Sequence, residues 1–358
     1  MRCKVYLSDE GFGHIVRERA VIESLFKIQP SLEVAIQTET HITTAERFIP
    51  KATFQKRFNN IRWDKMPNGS PDVDAIQHRF EGYIERSNHF IAEEQVQAEL
   101  DFIISDFVYE AFEIGRAMGK PAFGVAHFTW DWFFSKLYPP PIHTDVMRHF
   151  LRLASHATRL YFPPFTPEEI VRYHRGKAMQ VPLILHHHIE HKISDSNQRF
   201  KVLIMDSGAG VLGDSIRHAL KSLSLLDDFL FFVSDRYAIE QENIRPIPSD
   251  ELMVDYVADM DLVIGRAGFN TISECVGLRT PMLLIGEAMN PEMSENILML
   301  KKEHLGSFIS LETFEHGLSK FLPSFVQHEY PLILKSMKEH EIATNGADII
   351  AQDMLNHL

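Results

Sequence analysis

The feature that most limits the fold is a rhythm that stops and then starts again. Short apolar runs at 5–7, 34–37, 102–105 and 122–126 alternate with stretches of helical spacing at 15–26, 83–98 and 111–118. The rhythm returns with runs at 202–205, 230–233, 262–264 and 282–285, among helical stretches at 214–223, 251–258, 271–276 and 292–302. A four-residue apolar run bounded by turn residues is too short for a helix and reads as a strand buried on both faces. Strands that alternate with helices are parallel, because each helix carries the chain back to the starting edge. The second start is visible in the residues. Val202-Leu203-Ile204-Met205 followed by Asp206-Ser207-Gly208-Ala209-Gly210 repeats the opening theme of a strand, a glycine turn and a helix. Between the halves, "HHHIEHKISDSNQRF" (186–200) is polar and loses apolar periodicity, as a linker does. The expectation is an α/β protein of two similar halves, with a ligand cleft at the carboxyl ends of their strands.

Composition narrows the function classes. With 358 residues, 45% of them hydrophobic, the chain has material for two cores. A net charge of -13 argues against a general nucleic-acid binder and against docking on an anionic membrane. No apolar run reaches membrane-spanning length, so no membrane insertion is expected. Two cysteines, Cys3 and Cys275, lie far apart in apolar segments, which fits a reducing compartment. The opening residues read as a strand rather than a signal-peptide core, and a cytoplasmic protein is expected. The histidines at 186–188 and 191 read as a solvated linker, since no cysteine or carboxylate ligand set accompanies them. No metal is expected.

Glycine loops mark the candidate site. Gly11-Phe12-Gly13-His14 lacks the third glycine of a dinucleotide fingerprint, whose place is taken by Val16. A nicotinamide or flavin enzyme is therefore disfavoured, although the loop still lets backbone approach a ligand at a helix start. In "DLVIGRAGFNTISECVGLRTPMLLIG" (261–286), Gly265 and Gly268 again allow close approach. Glu274 can accept two hydrogen bonds from a ribose diol; equally, Thr271-Ile272-Ser273-Glu274 fits a capping box. Arg266 faces a phosphate or is simply solvated. Glu292 is placed to bind sugar hydroxyls or to favour a helix start by the dipole. Asp106, after the run at 102–105, is a helix cap or a carboxylate at the same sheet edge as His14. In "HFTWDWFF" (127–134), His127, Trp130 and Asp131 are candidate contacts for an acceptor, the alternative being a hydrophobic helix face.

At this point the sequence resembles a family. The two-half layout, "GFGH" and "IGRAGFNTISE" resemble the GT-B nucleotide-sugar glycosyltransferases, the second half being similar to the peptidoglycan N-acetylglucosaminyltransferase. "DFIISDFVYEAFEIGRAMGKPAFGVAHFTWDW" and the loop at 201–210 extend the likeness to the glycosyltransferase-like region of plant arabinokinases. The resemblance implies a GT-B fold with an acceptor domain at 1–188, a donor domain at 199–340, and a helix within 345–358 that returns to the first domain. It implies that Glu274 binds the ribose, that Ser207 and Gly208 lie in the second donor loop, and that Arg266, Gly268, Asn270 and Thr271 surround the diphosphate. Gly13 belongs to the loop beside the donor. His14 and Asp106 resemble the base and its carboxylate partner in plant UDP-glycosyltransferases. Where the peptidoglycan enzyme carries paired glutamines, this chain has Glu292-Met293, which leaves the donor sugar open.

The implied partners are a nucleotide-sugar co-substrate, UDP-linked, and an unidentified acceptor; no other cofactor is implied. The chemistry is coherent: a histidine takes the proton of the acceptor hydroxyl, an aspartate orients the imidazole, and Arg266 with loop N–H groups meets the departing diphosphate. The rivals are a UDP-sugar hydrolase, since "GFGHIVR" also resembles the hydrolase of pseudaminic acid synthesis, a UDP-sugar 2-epimerase, and a sugar-nucleotide sensor without turnover.

Overall fold

The structure, a computed structural model, describes residues 1–358 except 9–11, 40–41, 57–60, 62, 67–70, 96–98, 138–143, 186–197, 207–211, 250 and 287–288. The chain forms two compact units. One comprises Met1–His186, Met289–Glu292 and Thr344–Leu358; the other comprises His187–Ala288 and Met293–Ala343. Most of the expected linker at 186–200, with its histidines, lies outside the described residues.

The first unit is built on a parallel sheet of β1 (Arg2–Tyr6), β2 (Glu33–Thr38), β3 (Thr53–Lys56), β4 (Phe102–Ser105), β5 (Ala122–Val125), β6 (Arg159–Phe162) and β7 (Ala178–Gln180). The spatial order is β3-β2-β1-β4-β5-β6-β7, with every pairing parallel. Both faces are covered. On one, Val5, Ile104 and Phe123 join Ile15, Val21, Ile22 and Leu25 of helix α1 (Phe12–Ile28). On the other, Tyr6, Ile103 and Ala122 join Phe112, Phe134 and Phe150. Each large apolar side chain so buried contributes roughly 1.5–3 kcal/mol, and the two-sided burial is why the runs are continuously apolar rather than alternating. Lys4 is the polar interruption that shortens the first run. It is buried, and its Nζ lies 2.5 Å from Glu94 Oε2, which also accepts from the Tyr6 hydroxyl at 2.7 Å.

The C-terminal helix Gly346–Asn356 packs on α1 within this unit. Ile350, Ala351 and Met354 share a core cluster with Val21 and Leu25, and the Ser24 hydroxyl donates to Asp348 at 2.7 Å. Gly346 starts this helix because nothing larger fits. A Cβ there would stand 2.2 Å from the Pro182 carbonyl oxygen, while its N–H donates to Leu183 at 3.0 Å.

The second unit holds β8 (Phe200–Ile204), β9 (Phe229–Ser234), β10 (Ile244–Ile247), β11 (Leu262–Arg266), β12 (Met282–Ile285) and β13 (Ser307–Ile309). The order is β10-β9-β8-β11-β12-β13, again with parallel pairings. The helical stretch expected at 251–258 is the 3-10 helix Met253–Asp259. Val254 and Val257, β-branched and stiff, favour such a short, tight piece over a regular helix.

Each sheet reverses its strand order once, between β1 and β4 in the first and between β8 and β11 in the second. Open α/β sheets bind ligands at the carboxyl ends of strands where that reversal occurs. His14 and Asp106 follow β1 and β4 at the first of these edges, and Arg266 ends β11 at the second. Among the described residues no helix is long and apolar enough to cross a membrane.

Candidate active site

In the first unit, neighbouring strands deliver a histidine and an aspartate to one point. Tyr6 of β1 is in register with Ser105 of β4, and the Asp106 N–H donates to the Tyr6 carbonyl at 2.9 Å. α1 follows β1 and carries His14 in its first turn. The result is a contact of 2.5 Å between His14 Nδ1 and Asp106 Oδ2, with His14 8% and Asp106 1% exposed. A tight turn fixes the aspartate. Phe107, at φ 48°, occupies the left-handed region, and the Ser105 hydroxyl donates to the Val108 carbonyl while accepting from the Val108 N–H, both at 2.8 Å. A non-glycine residue held there costs about 1–3 kcal/mol, so the surrounding packing imposes the turn.

Two further charged residues belong to this site, and the reading of the sequence missed them. Arg17 is 3% exposed and Glu18 fully buried. The available signal was their position: residues 14, 17, 18, 21, 22 and 25 fall at the three- and four-residue spacing of the buried face of α1, where apolar side chains are the rule. The Arg17 guanidinium donates through Nη2 to Asp106 Oδ1. The same nitrogen lies 3.2 Å from His14 Nδ1, while Nη1 lies 3.2 Å from His127 Nδ1. His127, immediately after β5, places Nε2 2.9 Å from Glu292 Oε1 within the same unit. Three side chains from three adjacent strand ends, His14, Asp106 and His127, thus meet around one guanidinium.

The electrostatics follow from burial and these contacts. Burial works against the Asp106 charge, yet Arg17 and His14 together hold its carboxyl below the usual carboxylate range. Burial pushes the Glu18 carboxyl well above that range, reinforced by the Asp106 charge and only partly opposed by Arg17. Burial lowers His127 below the ordinary imidazole value, against the pull of Glu292. These influences favour the ionised form of Asp106 and disfavour the charged forms of Glu18 and His127.

The aromatic segment after β5 is packed inward. Trp130 is 2% exposed, stacked on Phe134 and edge-on to Phe128 and Phe133. Asp131 takes the Tyr109 hydroxyl, whose oxygen in turn accepts from the Asp131 N–H at 3.0 Å. Both side chains considered as acceptor contacts are occupied within the core, the hydrophobic-face alternative for this segment. His127 stands apart from them as a member of the charged cluster.

In the second unit, Arg266 is the last residue of β11, and Gly268 is the N-cap of the helix Phe269–Leu278. Asn270 and Thr271 lie in that helix's first turn. The helix begins two residues earlier than the sequence spacing indicated, so Thr271 is not its cap and the capping-box account of Glu274 does not hold. Glu274 lies in the second turn and is 2% exposed. Gly265 lets two strand ends come together, since a Cβ would stand 3.2 Å from the Met205 carbonyl oxygen. Above Gly268 a Cβ would meet nothing within 4 Å. Buried Asn296 steadies the loop by donating to the Ala267 carbonyl at 3.0 Å. Ser207 and Gly208 lie outside the described residues.

The fold that carries these two edges is that of the GT-B glycosyltransferases. The spinosyn rhamnosyltransferase SpnG superposes with a TM-score of 0.64 at 13% identity, covering 99% of this chain and 100% of its own, and has also been solved with thymidine diphosphate. The calicheamicin glycosyltransferase CalG4 gives 0.65 at 11% identity, covering 100% and 98%. MurG of Acinetobacter baumannii gives 0.58 at 13% identity, covering 99% of each chain. Within this fold, residues 227–353 match the glycosyltransferase family 28 C-terminal domain. An L-arabinokinase of Arabidopsis thaliana is 23% identical over 301 residues, 78% of this chain. The chain spans about 28% of the length of that relative.

Proposed function

We propose that this chain is a glycosyltransferase that moves a sugar from a nucleotide-sugar, UDP-linked, to a hydroxyl acceptor without a metal, with His14 as general base. The observation that carries the reading is the 2.5 Å contact between His14 Nδ1 and Asp106 at the reversal point of the first sheet. An ionised aspartate on Nδ1 leaves Nε2 as the nitrogen that takes a proton, and stabilises the imidazolium formed. In the second unit, Glu274 holds the ribose diol. Arg266 and the first N–H groups of the helix Phe269–Leu278, with the space above Gly268, receive the diphosphate. These groups meet the charge that develops on the leaving group, a role that a metal fills elsewhere. Glu292, which lies 2.9 Å from His127 Nε2, is the candidate for contact with the donor sugar.

The test is incubation with UDP- and dTDP-sugars, with and without an acceptor library, and with a chelator. A glycosylated product, undiminished by the chelator, supports the proposal. Free sugar without acceptor makes the protein a hydrolase, a new sugar isomer makes it an epimerase, and tight binding without turnover makes it a sensor.

A further inference from the structure

We propose that Arg17 is a positioning residue that sets the two neighbouring imidazoles in opposite protonation patterns, His14 carrying its proton on Nδ1 and His127 on Nε2. The significance for catalysis rests on the function proposed above; the protonation pattern itself does not.

The argument is one of donors and acceptors. A guanidinium only donates. Arg17 Nη1 lies 3.2 Å from His127 Nδ1, so that nitrogen offers its lone pair, and the ring proton sits on Nε2, where it is donated to Glu292 Oε1 at 2.9 Å. An ionised carboxylate only accepts. Asp106 Oδ2 lies 2.5 Å from His14 Nδ1, so here Nδ1 carries the proton. The 3.2 Å approach of Arg17 Nη2 to the same nitrogen then brings two donors side by side and is no hydrogen bond; the Nη2 hydrogen goes to Asp106 Oδ1. One buried cation thereby does two things. It keeps Asp106 ionised, which holds the His14 proton on Nδ1 and leaves the Nε2 lone pair for a substrate proton. It also blocks Nδ1 of His127, which keeps that ring from becoming a second cation beside the base. Among the described contacts, the titratable and charged groups facing His127 include Arg17 and His14 from α1 and Glu292 from the segment 289–292. Glu292 favours the charged ring; burial opposes it most, and the guanidinium adds to that opposition at the one nitrogen it faces.

The pattern is read by long-range 1H–15N correlation spectra of histidine-labelled protein at neutral pH, without substrate, with His14→Asn and His127→Asn used for assignment. The wild-type protein is expected to show a protonated Nδ1 on His14 and, on His127, a protonated Nε2 with a bare Nδ1. In Arg17→Met, Nδ1 of His127 loses the donor that fills its lone pair, so its signal moves away from the wild-type position and, in a pH series of the same spectra, the ring gains its second proton at a higher pH than in the wild type. In Arg17→Lys, a single ammonium keeps the Asp106 charge neutralised but does not span both rings, so His14 keeps its pattern and His127 alone changes. A wild-type His127 protonated on Nδ1 overturns the proposal even if neither variant folds. Folded variants with unchanged spectra overturn it as well. If the spectra behave as stated but His14→Ala retains full turnover, the pattern stands and the catalytic role of His14 falls.

Discussion

The edges of the two sheets lie at equivalent points of the same topology, yet they are built from different materials. At the β1–β4 reversal, Arg17, Asp106 and His14 are interlocked side chains, each nearly or wholly buried. At the β8–β11 reversal, the described groups are largely backbone: a strand end at Arg266, a glycine N-cap with open space above it, and a buried Glu274 one turn further on. Each material suits a different task. A proton transfer needs one atom held at a defined angle with a tuned charge, which a buried ionic network provides. A diphosphate spreads its charge over several oxygens, and a row of N–H groups accommodates it without any titratable side chain.

Substitutions at the two edges should therefore differ in kind as well as in size. The largest effect is expected for His14→Ala. General-base assistance is worth roughly 10² to 10⁴ in rate, so turnover should fall by that much while the dissociation constant for donor, measured by calorimetry, changes little. Unchanged turnover would remove the catalytic half of the contrast. Asp106→Asn should follow, because it takes from the buried Arg17 cation its nearest carboxylate and leaves, among the described residues, only Glu18, at 3.9 Å. Breaking such a pair costs about 3–5 kcal/mol, readable as a lower denaturant midpoint.

Acid titration separates the two carboxylates of the first edge. Asp106 is depressed in the folded state, so its contribution is present above the unfolded value and disappears as pH falls through the folded one. Glu18 is raised, so its contribution is complete below the unfolded value and is lost as pH rises toward the folded one. Glu18→Gln should therefore stabilise the protein more at pH 7 than at pH 4. The gain is about 1.4 kcal/mol for each tenfold by which folding weakens this acid. Equal stabilisation at the two pH values in equilibrium unfolding would mean that Glu18 is ionised in the fold.

At the second edge the effects should appear in binding. Glu274→Ala is expected to weaken nucleotide affinity by about ten- to a hundredfold, the loss of a charged hydrogen bond of roughly 1.5–3 kcal/mol. A pure loss of stability with affinity intact would return Glu274 to a structural role. The smallest effect belongs to Gly268→Ala. Its φ of -78° suits any residue and no atom crowds the added Cβ, so the entropy gain of about 0.4–1 kcal/mol is set against alanine's weakness as an N-cap and stability should change little. Nucleotide affinity should nevertheless fall, because the methyl group enters the space assigned to the diphosphate. Affinity unchanged in that variant would place the ligand elsewhere.

Much of the scaffold was legible because burial on both faces leaves an unmistakable trace. The runs at 34–37, 102–105, 122–126, 202–205 and 282–285 stand as strands within two residues of their expected bounds. The edge strands β3, β7 and β13 left no such trace, since their residues are half-buried or exposed and their composition is that of a loop. Pro246 disguised β10 in the same way, being tolerated only because that strand lies at the edge of its sheet.

Local periodicity was enough to establish the α/β class, the restart of the pattern and the presence of His14 and Asp106 at strand ends, because each depends on residues near in the chain. What those residues do to one another depended on the folded chain. Asp106 lies 89 positions from Arg17, and His127 lies 110. Read locally, Arg17 and Glu18 are two ordinary charges on a helix. The strand order β1-β4-β5 brings three distant loops to one edge, and burial there removes the water that would otherwise screen the charges. Long-range pairing and desolvation have no signature in a short window of sequence, so the cluster that distinguishes the first edge from the second could be seen only once the chain was folded.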